Sequence, residues 1–120
     1  MAGSPLQTEE ELLLVKEAII LPIMFDLLEK DMQLMKGCYL KMGDLYSHQL
    51  HRIQTSVLTQ QYALRKEMRE RQLKIVQVEQ DPFFIRVSYT CRGYQHQMKL
   101  LLEVIDANIE VRLAAACHHR

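Results

Sequence analysis

Residues 12–28, LLLVKEAIILPIMFDLL, constrain this chain more than any other stretch. Their only charged members are Lys16, Glu17 and Asp26, so as a helix the stretch is apolar on nearly every side. Such a helix must be covered by other elements. Insertion into a membrane is the competing use. The preceding Thr8, Glu9, Glu10 and Glu11 lack the positive charge of a signal peptide, and Lys16, Glu17 and Pro22 interrupt the run. The expectation is therefore a core helix in a chain with no membrane association.

Thr8 stands three residues before Glu11, the spacing at which each side chain satisfies the other's free backbone amide. The first helix is expected to start there, its acidic first turn complementing the helix dipole. Residues 1–7, with Gly3, Ser4 and Pro5, read as a flexible lead-in. Pro22 lacks an amide hydrogen and collides with the carbonyl four residues back, which predicts a kink near Ala18 or a break near Ile20. Helical spacing resumes to Lys36, with Gly37 as the stop.

Asp44 is then a suitable N-cap for a second long helix over residues 45–73. Its Leu50, Ile53, Val57 and Leu64 form a narrow heptad-like seam in which Gln60 replaces an apolar residue. The periodicity then changes. KIVQVEQ (74–80) and FFIRVSYTC (83–91) are β-branched and aromatic, with the turn pair Asp81-Pro82 between them, and read as a β-hairpin. Phe83, Ile85, Val87, Tyr89 and Cys91 share its core face. Arg92-Gly93 ends the strand, and a last helix is expected from about Tyr94 to Ala116, with one stripe of Met98, Leu102, Ile105, Ile109 and Leu113 and a second of Leu101, Val104 and Val111. The fold class is α+β, mostly α: helices packed with one antiparallel β-hairpin at about 74–91, inserted before the last helix. One domain covers 8–117, and 118–120 form a frayed tail.

A chain of 120 residues offers few elements to cover an all-round apolar helix, a two-striped helix and a hairpin that is marginal in isolation. Copies covering one another resolve this, so a homo-oligomer, with room for a further protein partner, is expected. Fifteen basic residues balance fifteen acidic ones, so no global field steers the chain to nucleic acid or anionic lipid. Cys38, Cys91 and Cys117 are odd in number and form no CxxC pair, which reads as reduced thiols in a cytoplasmic protein.

Two stretches are candidate sites. Cys91, Arg92, Tyr94 and His96 lie where a strand is expected to hand over to a helix, whose free amides hold anions and lower a thiol's pKa. Cys91 would be the nucleophile, Arg92 the anion clamp and His96 the proton shuttle, although no known phosphate-loop spacing is present. Arg65, Lys66, Arg69 and Arg71 gather at the end of the second helix and would contact phosphates. Glu67 and Glu70 interleave with them and are expected to pair with Arg71 and Lys74. Asp44, His48 and His51 share a helix face, but without HExxH or a second ligand set no metal or other cofactor is expected. Met24, Met32 and Met35 read as gap-fillers of a core. The function these features favour is a non-enzymatic, oligomeric interaction or regulatory protein. The alternatives are a nucleic-acid-binding regulator using the basic end of the second helix, and a small-ligand or anion-binding protein or enzyme at residues 90–96.

Overall fold

The computed structural model describes residues 8–118; the lead-in 1–7 and the last two tail residues lie outside the described residues. Two long helices, three strands and a third helix follow one another along the chain, in a molecule measuring 61 × 31 × 20 Å. This is an α+β, mostly helical fold.

Helix α1, Glu9–Lys36, opens with the expected capping box: Thr8 Oγ1 accepts from the Glu11 amide at 3.1 Å, and Glu11 Oε1 accepts from the Thr8 amide at 3.0 Å. It ends at Gly37. Contrary to the expected break, the helix continues through Pro22. An interior proline costs about 3 kcal/mol. Ile19, Ile20, Leu21 and Met24, all buried, flank it on several faces, so packing holds the helix where its own hydrogen bonding is weakest.

After a short connection, α2, Gly43–Glu70, folds back along α1. Its N-cap is Met42, which makes no side-chain capping bond, and Asp44 lies inside the first turn, where its charge faces the positive end of the dipole. The buried seam runs through Gln54, Val57, Leu64 and Met68. Its polar member is therefore Gln54 and not Gln60, which is exposed. Gln54 Nε2 donates to the Phe25 carbonyl at 3.2 Å and to Glu29 Oε2 at 3.3 Å, which satisfies a buried amide and fixes the register of the two helices.

The β region is a three-stranded antiparallel meander, larger than the expected hairpin: β1 (Leu73–Gln80), β2 (Phe84–Cys91) and β3 (Tyr94–Leu101), in that order. Asp81 closes the first turn, its Oδ1 accepting from the Phe83 and Phe84 amides at 2.8 and 2.7 Å, and these bonds hold its carboxyl below its ordinary pKa. Residues 94–101, expected as the start of the last helix, are instead β3. The cause is the Arg92-Gly93 pair. Both residues adopt positive φ, 52° and 87°, as a two-residue primed turn requires, and the chain returns along β2 with Cys91 opposite Tyr94.

Helix α3, Leu102–His118, follows β3 directly, and the Leu102 amide donates to the Phe83 carbonyl at 2.9 Å. The core lies where α1 meets the sheet, α2 and α3. Val15, Leu21, Leu28, Val57, Val87 and Tyr89 are at most 2% exposed there, and Ile105 and Ile109 bring the inner stripe of α3 to it. The other α3 stripe stays outside: Val104 is 61% exposed and Val111 70%.

Candidate functional site

The residues proposed at 90–96 do not sit at a helix start, because the segment is the turn between β2 and β3. No row of free helical amides therefore faces an anion. Cys91 is fully buried under the sheet, and burial, together with the negative charge of Glu11, pushes its thiol above the ordinary range. A thiol so placed is a poor nucleophile. The Arg92 guanidinium is committed to Glu11, donating to Oε2 at 2.6 Å and to Oε1 at 3.3 Å. Tyr94 lies opposite Cys91 at the start of β3, partly exposed. The His96 ring stacks on Tyr89 with centroids 5.5 Å apart, and its Nε2 is buried without a hydrogen bond among the described residues. The four side chains are neighbours in sequence that the fold puts to separate uses.

The second role of Glu11, beyond the expected cap, is what reading the sequence missed. Glu11 caps α1 and also pairs with an arginine 81 residues away, which leaves it only 3% exposed. Its carboxyl is held at about 2, chiefly by the Arg92 hydrogen bond, against the opposing effect of burial. Two neighbouring acids do similar work. Glu10 meets Arg71 at 2.9 Å, and Glu17 takes both terminal nitrogens of Arg112 on α3. The first turns of α1 are thus tied to α2, to the β2–β3 turn and to α3.

Pairing with Glu10 and Glu67 removes Arg71 from the basic group at the end of α2. The expected pair of Glu70 with Lys74 is absent among the described ion pairs, because the helix ends at Glu70 and Lys74 belongs to β1. Arg65, Lys66, Arg69 and Lys74 have no ion-pair partner among the described residues. Three of them rim a groove of about 610 Å³ between α1, α2 and β1. Its floor is apolar, formed by Ala18 and Pro22 from α1, Leu64 and Met68 from α2, and Leu73 and Ile75 from β1. Arg65, Arg69 and Lys74 stand around it, and the Arg65 guanidinium lies 5.9 Å from the centre of the exposed Tyr62 ring. Tyr62 precedes Arg65 by three residues, the helical-neighbour spacing that would have identified it in the sequence. Lys66 does not line the groove.

Over residues 6–120 the chain matches the family described as YhjD protein. It belongs to the YhjD family. No curated protein and no solved structure matches it. In this YhjD-family chain, Asp44, His48 and His51 line a groove between α1 and α2 together with Glu29. No three histidine, cysteine or acidic side chains among the described residues are grouped to hold a metal ion. No helix among the described residues is long and apolar enough to cross a membrane. What the α1/α2/β1 groove can do chemically is bind: an apolar floor with cationic edges suits an amphipathic partner carrying negative charge.

Proposed function

We propose that this protein is a non-enzymatic interaction or regulatory protein that acts as a homo-oligomer, with its activity residing in surfaces. The observation that carries this reading is the outer stripe of α3, where Val104 and Val111 are 61% and 70% exposed although Ile105 and Ile109 on the same helix are buried. A helix with two apolar stripes and one covered stripe has a face left for a partner. A cytoplasmic setting fits the free, exposed thiols of Cys38 and Cys117. Native mass spectrometry at micromolar concentration tests the reading. A dimer or larger assembly is expected; a monomer overturns it.

A second reading is favoured by one specific observation. Arg65, Lys66 and Arg69 carry no ion pair among the described residues, and the Tyr62 ring beside Arg65 adds an aromatic surface on which a base can stack. This reading predicts a mobility shift of single-stranded DNA or RNA that weakens as salt rises. No shift at low salt disposes of it.

A further inference from the structure

The chain is neutral as a whole, with fifteen residues of each sign, but its charges are not evenly spread. Arg65, Arg69 and Lys74, three of the cations without ion-pair partners among the described residues, line the α1/α2/β1 groove, beside β1. On α3, beyond β3 at the other edge of the sheet, Glu103, Asp106 and Glu110 are exposed and make no ion pair among the described residues. They fall at i, i+3 and i+7 and so form one ridge. Val104, Ala107 and Val111, also exposed, follow the same spacing one residue later and form an apolar ridge beside it. One face of α3 therefore presents short apolar side chains flanked by acids, and the groove presents an apolar floor flanked by bases.

We propose that the occupant of the groove is α3 of a second copy of this chain. The Val104/Val111 ridge would lie on Leu64, Met68 and Ile75, with Asp106 and Glu110 against Arg69 and Arg65. The spacings agree. Each charged pair is separated by four residues on a helix, about 6 Å, so two acids of one copy meet two bases of the other without distortion of either helix. No α3 residue of the same chain lines the groove. A two-fold axis forms the contact twice, each copy giving one helix and one groove, which makes a closed dimer. This inference rests on the self-association proposed above and names the surfaces that carry it.

The test is a charge swap read by sedimentation equilibrium, with circular dichroism as the check that each variant keeps its helices. R65E/R69E in the groove and D106K/E110K on α3 should each weaken the dimer by about 100-fold or more, because like charges then face one another. Mixing the two variants should restore both contacts in the heterodimer, one with native and one with exchanged charges, and the quadruple variant, which carries all four changes, should recover the wild-type dissociation constant to within about tenfold, a rescue that a folding defect would not give. Wild-type association should also weaken as salt rises. A wild-type dimer indifferent to both double variants overturns this inference and leaves self-association standing. A wild-type monomer overturns both. Loss of nucleic-acid binding in R65E/R69E with no change in mass assigns the groove to nucleic acid and overturns the inference as well.

Discussion

In its first half α1 buries residues on several faces, Glu11, Val15, Ile19, Ile20 and Leu21; in its second half it buries the single line Met24, Leu28 and Met32, four residues apart. The sequence is comparably apolar in both halves. The difference lies in what surrounds them: the sheet, α3 and α2 together enclose the first half, whereas the buried line of the second half belongs to the seam with α2, joined across by Gln54. Leu27 and Leu34 are accordingly 39% and 69% exposed, while the first half leaves Leu13 outward at 59%. Apolar character in a sequence specifies the demand for burial, and the number of neighbouring elements decides how much of that demand is met.

The comparison breaks most visibly through cavities. Leu21→Ala, at a site 2% exposed and enclosed on all sides, should cost about 4 kcal/mol, and Met32→Ala in the second half about 2 kcal/mol, since a cavity costs least where the surroundings can collapse or admit water. Urea unfolding of the two variants measures the difference. Equal costs would show that the two halves are equally well enclosed, and the reverse order that the second half is the better enclosed. Hydrogen exchange sharpens the same point: amides of residues 24–36 should open before those of residues 11–21.

The ion pair that fastens the enclosed half gives the next effect. Arg92→Ala leaves Glu11 buried without its partner and should cost about 3 kcal/mol at neutral pH. The pH dependence has a defined sign. Glu11 titrates at about 2 in the folded protein against 4.5 ordinarily, so its folded-state pKa is depressed. Its contribution is present in full above the ordinary value and is lost as pH falls through the window from 4.5 to about 2. Acid unfolding of the wild type should therefore steepen in that window, and the Arg92 variant should lose less stability across it, so that the two curves converge at the acid end. Curves that stay parallel would place the effect of the substitution elsewhere, in the turn backbone.

How much of this was legible follows from the range of each signal. The capping box, the stop at Gly37, the Asp81-Pro82 turn and the inward line Ile85, Val87, Tyr89 and Cys91 are local, and the structure has them; Phe83, expected on the same inward face, instead precedes β2 in the turn and is 69% exposed. Strand β3 was missed because Gln95, Gln97, Met98, Lys99, Leu100 and Leu101 are ordinary helix formers and Met98 is in phase with α3. The period-two order of Tyr94, His96, Met98 and Leu100 against Gln95, Gln97 and Lys99 was the available sign of a strand, and Arg92-Gly93 is the length of a tight hairpin turn. The Glu11–Arg92 pair joins residues 81 apart and leaves no periodic trace. It also explains why the 90–96 stretch resembled an anion site: the arginine that would have held a ligand holds a glutamate of α1.

The smallest effect concerns the passage between the two settings, where α2 ends and β1 begins. Gln72 has φ +57° with an exposed side chain, while its carbonyl accepts the Arg92 amide at 2.9 Å. A left-handed residue after a helix is the usual way to turn the chain out, and glycine takes that conformation without the clash a Cβ introduces. Gln72→Gly should therefore stabilise the protein by about 0.5 kcal/mol: the strain relieved at a left-handed non-glycine residue is about 1 kcal/mol, and the flexibility added to the unfolded chain offsets part of it. The gain belongs to the enclosed end, because the backbone of Gln72 is bonded to the β2–β3 turn. If Gln72→Gly is destabilising in urea unfolding, its side chain contributes a contact that outweighs the strain, and the junction is then held by side-chain packing as well as by its backbone.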